Sequence, residues 1–265
     1  MNRFRSASRS RQASLESEGE ASSAFALPPC LGQAGQDTAQ TLFAPQHYEP
    51  KYAYPLLVWL HDSGEDEWQL LRVMPLVSLR NYVAVGPRGV RLRDAEGADC
   101  WGWPQGRPHV DHAEERIFTA IDAAARRYHV DAGRVFLAGG GSGGTMALRI
   151  AAAWPERFAG AASLGGPLPE PSCAPLSQWA RLRGLPVFLA VGRQSQLYGP
   201  RQACEDLRLL RTAGLASITL REYHPCPHPV IPPALRDLDR WMMEHIQSAV
   251  RSPTACHWQW PGVPE

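Results

Sequence analysis

The feature that most constrains this chain is the stretch from Arg134 to Ala151, RVFLAGGGSGGTMALRIA. An apolar run, a cluster of glycines around one serine and a helical pattern follow one another with no room for a connecting loop. Within it, Gly140–Gly144 matches G-x-S-x-G. A strand that turns directly into a helix needs small residues at the turn. Whatever stands at the tip is held in an unusual backbone conformation, with the helix amino terminus and the next backbone N–H facing it.

The rest of the chain fits an α/β architecture. A short strand is expected ahead of a turn near Glu49–Lys51, with further strands at Pro55–Leu60, Tyr82–Gly86, Arg134–Ala138, Phe158–Leu164, Pro186–Val191 and Ile218–Tyr223. Helices are expected at Trp68–Leu79, Glu115–Tyr128, Gly143–Trp154, Arg201–Thr212 and Ala234–Ala249. The helix at Glu115–Tyr128 is read from Ile117, Ile121, Ala124 and Tyr128, spaced by threes and fours. Strands alternating with helices imply a mainly parallel central sheet with helices on both faces. The runs LLVWL, VFLA and VFLAV suit its central strands. In such sheets the chemistry collects at the carboxyl ends of the strands. With 265 residues, one large domain is expected over 41–249. Residues 1–40, rich in Ser, Arg, Glu and Ala, read as a loosely packed arm. Residues 250–265 read as a tail whose Trp258 and Trp260 pack back on the domain.

Composition narrows the function. A net charge of +1 gives no case for nucleic acid, and no apolar run is long enough to span a membrane. The six cysteines form no CxxC pair and share no ligand spacing with histidine, so no metal is expected. Scattered thiols suit a reducing compartment, and the first residues lack a secretory apolar core. A cytoplasmic location is the expectation. His109 and His112 read as a solvated helix start.

The motifs PLLVWLH, YVAVGPRG, DAGRVFLAGGGSGGTMALRIA, LPVFLAVG and LREYHPCPH together resemble the carboxylesterase/phospholipase branch of the α/β-hydrolases, from about Tyr54 to Ile246. The resemblance implies a serine hydrolase with a Ser–Asp–His triad, no cofactor, and a small-molecule ester or acyl ligand. Carried over residue by residue, Ser142 is the candidate nucleophile and His228 the candidate base, with His224 behind it. Backbone N–H groups at Asp62, Ser63 and Gly143 would hold the oxyanion. Trp101 and Trp103 would line an acyl pocket or cover the sheet edge.

Three positions depart from the family pattern. Aligned from Arg134 and again from Thr145, the nucleophile position falls on Gly141, with Ser142 one place later as a helix-start residue. The turn Gly192–Leu197, where the family carries its acid, has no carboxylate. Glu170 is the substitute candidate. Asp62 stands where a glycine is common, either as a turn residue bonding its own backbone or as a relocated catalytic group. Two readings therefore stand side by side: a carboxylic ester hydrolase using Ser142, His228 and Glu170, or a non-catalytic homologue that keeps the fold for ligand binding or interaction. The oligomeric state is not legible.

Overall fold

The structure is a computed structural model that describes residues 39–93, 96–170 and 179–251. The amino-terminal arm up to residue 38 and the tail with Trp258 and Trp260 lie outside the described residues.

Nine strands and five longer helices follow in chain order among the described residues. They are β1 (Gln40–Phe43), β2 (Tyr54–Leu60), α1 (Gln69–Val77), β3 (Val83–Pro87), β4 (Val90–Arg93), β5 (Asp99–Gly102), α2 (Arg107–Arg127), β6 (Val130–Gly140), α3 (Gly141–Ala153), β7 (Gly160–Leu164), β8 (Val187–Gly192), α4 (Pro200–Thr212), β9 (Ile218–Tyr223) and α5 (Pro232–Arg251). Seven strands form one sheet in the order β1-β3-β2-β6-β7-β8-β9. Only β1 runs antiparallel to its neighbour; β3, β2, β6, β7, β8 and β9 are parallel throughout. The expected α/β class is the observed one.

Burial on both faces explains the continuous apolar runs. In β2, Leu56, Val58 and Leu60 join the cluster that packs under α2 and α3. The alternating Leu57 and Trp59 join the cluster under α1 and α5. The two-residue period of a strand thus divides one run between two cores. Because the strands are parallel, the loops after β2, β6, β7, β8 and β9 open at one edge of the sheet.

Two elements differ from the sequence reading. Helix α2 begins at Arg107 rather than Glu115, with Pro108 in its first turn. Its buried stripe begins at Ala113, so the apolar period marks only the part of the helix that touches the sheet. A proline in the first turn costs the helix no hydrogen bond. The segment around Trp101, for which the sequence suggests no strand, is the antiparallel hairpin β4–β5, with Arg91 paired to Asp99 across it.

The start of α3 is pressed against the end of β2. A methyl group on Gly143 would lie 2.8 Å from the Leu60 carbonyl carbon and nearer still to the carbonyl oxygens of Leu60 and His61. Backbone cannot yield as a side-chain tip can. Gly143→Ala is expected to destabilise the fold by about 1–3 kcal/mol, read as a lower urea midpoint. An unchanged midpoint would mean that helix and strand are not in close contact.

Candidate functional site

The loop after β2 is tied down on every side. His61 is fully buried. Its Nε2 accepts the Gly89 N–H at 2.8 Å, so Nδ1 carries the proton and donates to the Asp62 carbonyl, also at 2.8 Å. Burial lowers the His61 pKa. The Trp103 indole N–H donates to the His61 carbonyl at 3.0 Å. Gln69 Oε1 accepts both the Trp59 indole N–H at 2.8 Å and the Asp62 backbone N–H at 3.2 Å. The Ser63 N–H donates to Asp62 Oδ1 at 2.7 Å, which fixes the Asp62 carboxylate from behind.

That carboxylate is aimed at the strand-to-helix turn. Gly141 is the first residue of α3 and has φ +45°. The left-handed backbone identifies it, and not Ser142, as the tip of the turn. A side chain on Gly141 would place its Cβ 2.8 Å from Asp62 Cγ and closer to Oδ1. Asp62 therefore occupies the space that a side chain at the tip would fill. A carboxylate there faces the amino end of α3, where the helix dipole favours negative charge.

His228 completes the arrangement. Its Nε2 lies 2.5 Å from Asp62 Oδ2. Its Nδ1 faces the Val230 N–H at a long 3.4 Å, and the Cys226 thiol donates to its carbonyl. Its hydrogen bond to Asp62 raises the His228 pKa above the usual value of 6.5, partly offset by burial. The carboxylate thus engages Nε2, the nitrogen that would face a nucleophile in a Ser–His–Asp arrangement, instead of supporting the ring from the far side.

The other residues singled out from sequence have different surroundings. Ser142 Oγ accepts a hydrogen bond from the Ser63 hydroxyl at 2.8 Å and, among the described residues, makes none with His228. The Asp62 and Ser63 N–H groups, read as oxyanion donors, are already committed to Gln69 and to the Asp62 carboxylate. Gly143 lies in the first turn of α3. Glu170 is exposed at the rim of the cavity described below. At the expected place of the acid, Ser195 closes a turn, its Oγ accepting the Tyr198 N–H at 3.1 Å. Trp103 is buried under His61, and Trp101 stacks beneath Arg88 at 4.7 Å. Neither tryptophan lines the cavity, which corrects the acyl-pocket expectation: Trp101 lies on β5 against Arg88, and Trp103, just after β5, bonds the His61 carbonyl.

The pair opens on a cavity of about 690 Å³. Asp62, His228, Ser142 and Thr145 line it together with the apolar Pro167, Leu168, Pro169 and Leu197. No arginine or lysine lines it among the described residues. The apolar lining is held by its neighbours, a feature the sequence reading did not find. Thr145 donates to the Pro167 carbonyl at 2.8 Å, and buried Asp206 on α4 accepts the Leu168 N–H at 3.0 Å. Burial pushes the Asp206 carboxyl pKa upward. Among the described residues, no group of three or more His, Cys, Asp or Glu is placed to hold a metal, and no helix is long and apolar enough to cross a membrane.

This arrangement of sheet, turn and loops is the α/β-hydrolase fold, and known proteins show the same likeness. Zea mays acyl-protein thioesterase 2 superposes with a TM-score of 0.61 at 14% identity, over 78% of this chain and 99% of that one. The carboxylesterase of Mesorhizobium loti gives 0.61 at 19% identity, over 81% and 98%. The Bacillus cereus carboxylesterase gives 0.59 at 19% identity, over 79% and 95%. In sequence, the chain is 33% identical over 123 residues to "Putative esterase NocK" of Nocardia uniformis subsp. tsuyamanensis, a match covering 44% of this chain and 34% of that protein. The chain thus matches about a third of the length of that curated relative. No family model matches the chain.

The pair makes a testable electrostatic statement. A histidine whose folded pKa exceeds its unfolded value of about 6.5 contributes stability that is complete below that value and lost as pH rises through the folded pKa. Asp62→Asn is expected to lower the His228 pKa toward 6.5, read by NMR titration of the ring. It should also flatten this part of the pH dependence of the urea midpoint. An unmoved His228 titration would rule out the pairing.

Proposed function

We propose that this chain is an esterase-like α/β-hydrolase-fold protein that binds an uncharged, largely apolar molecule of the ester or acyl class and does not cleave esters through a serine. The observation that carries this reading is the Asp62 carboxylate, which stands at the Gly141 tip and engages His228 Nε2. It leaves the imidazole unable to take a proton from Ser142, whose hydroxyl is bonded to Ser63 instead. It also puts a negative charge where an acyl-transfer oxyanion would form, and such an oxyanion needs donors there. The ligand class follows from the cavity: apolar lining residues, carboxylates at Asp62 and Glu170, and no basic lining residue to offset an anion. The likeness to esterases and thioesterases supports a ligand of acyl type.

A fluorophosphonate probe and para-nitrophenyl butyrate test the chemical half. No Ser142-dependent labelling or turnover is expected, judged against Ser142→Ala. Labelling that disappears in Ser142→Ala would restore the serine hydrolase reading with Ser142, His228 and Glu170. Calorimetry with methyl hexyl ketone, an ester isostere without a leaving group, tests the binding half. Leu197 is 83% exposed, so Leu197→Asp should leave the fold intact while weakening binding about tenfold, the loss of one apolar contact face worth ~1.4 kcal/mol. Equal binding by both proteins would place the ligand elsewhere.

A further inference from the structure

A second cavity, of about 290 Å³, lies at the other edge of the sheet from Asp62. We infer that it is a docking site for the chain that follows α5, and that the Trp258–Trp260 stretch seats an indole there against Tyr52 and Arg80. The Asp62 cavity plays no part in it.

Topology brings the segment to the cavity. Tyr54 and Pro55 open β2, and Arg80 and Asn81 lead into β3, so these lining residues stand at the amino edge of the parallel strands. Helix α5 starts at Pro232, soon after His228, and Met243 and Ile246 in its second half line the same cavity. Residues 252–265 therefore leave α5 beside it. The chain ahead of β1 enters at the opposite edge, because Gln40 pairs with Pro87 at the carboxyl end of β3.

Reach narrows the choice further. From Arg251 back to Ile246 is about 8 Å along the helix axis, and back to Pro232 is roughly 30 Å. The chain from Arg251 to Trp258 spans at most ~25 Å when extended. That allows a turn and a return to Ile246, and it falls short of the far end of the helix, where the loop bearing His228 begins. Pro253, Pro261 and Pro264 do not continue a helix. In an extended chain, residues 258 and 260 face the same side.

The lining offers what an indole needs. Tyr52 is 47% exposed and meets the buried Tyr54 edge to face, with ring centroids 4.7 Å apart. Pro55 and Met243 add apolar surface. The Glu49 N–H donates to the Tyr54 hydroxyl at 3.2 Å, which fixes residue 49 beside these rings. The exposed Arg80 and Glu49 side chains both line the cavity, and neither forms an ion pair among the described residues. A free guanidinium stacks on an indole face, and a free carboxylate accepts the indole N–H. The volume sits at the lower limit of small-molecule pockets, roughly 300–1,000 Å³, and suits one large side chain.

Fluorine NMR of the full chain labelled with 5-fluorotryptophan tests the docking, with Trp258→Phe and Trp260→Phe assigning the two resonances. At least one of them should lack the shift between light and heavy water that a solvent-exposed indole shows. Arg80→Glu, and separately Tyr52→Ala, should restore that shift. Both should also speed chymotryptic cleavage after Trp258 and Trp260 about tenfold, as the undocked population rises. The urea midpoint of Arg80→Glu should stay unchanged, since the side chain is exposed. A full solvent shift at both indoles of the unaltered protein would overturn the inference. So would protection that neither variant removes, which puts the segment elsewhere. Protection lost on dilution together with a dimer in sedimentation would make a second copy the occupant, and would overturn it too.

Discussion

The contact between the Asp62 carboxylate and the His228 imidazole is the interaction around which the rest of the site is arranged. It needs Gly141 at the tip, because any side chain there would occupy the carboxylate's space. It needs the loop after β2 held by Gln69, His61 and Trp103, because a loose loop would let a charged side chain swing to water. It also needs the loop after β9 to bring His228 to the same edge, which the parallel order of β6, β7, β8 and β9 provides. A carboxylate and an imidazole that engage each other beside a helix amino terminus are mutually compatible in a way that an unpartnered group there would not be.

This contact also accounts for how the loop donors are used. In an acyl-transfer site, donors near the turn are kept free for charge that appears only during reaction. Here the charge is permanent, and it is the protein's own. The Ser63 N–H and the amino end of α3 face a resident carboxylate, and the Ser63 hydroxyl donates to Ser142 Oγ. A preformed anion thus takes the place of a transient one, and the donors that would have waited for substrate have become part of the folded state.

Much of the fold was legible because it depends on patterns of burial. The runs in β2, β6 and β8 and the stripe of α2 are read correctly for type, and the misread ends have local causes. Proline at the start of α2 permits a first turn whose one apolar residue, Val110, is only partly buried. The hairpin β4–β5 is half-buried or exposed at every strand position but Gly102 and carries no long apolar run. The site was legible only in fragments. Gly141 at the tip, the missing carboxylate near Ser195 and the odd aspartate at position 62 each appeared as a separate departure. Asp62 was read as a turn residue or a relocated group, and its carboxylate both bonds the neighbouring Ser63 N–H and meets His228. Residues 62 and 141 lie on adjacent strand ends, β2 beside β6. Their complementary sizes could have been paired by asking which loop neighbours the tip. The orientation of the carboxylate depends on Gln69 and His61, which the motif does not name.

Asp206 gives the cavity a second kind of control. It bonds the backbone of Leu168 from α4, and it is not itself a lining residue. Asp62 and His228 come from the loops after β2 and β9, while Leu168 is held by a helix that contributes no residue to the lining. Reactivity and capacity are therefore encoded in separate stretches of the chain. Substitution along α4 can resize the chamber without retuning its chemistry, and the two properties can drift independently over a lineage.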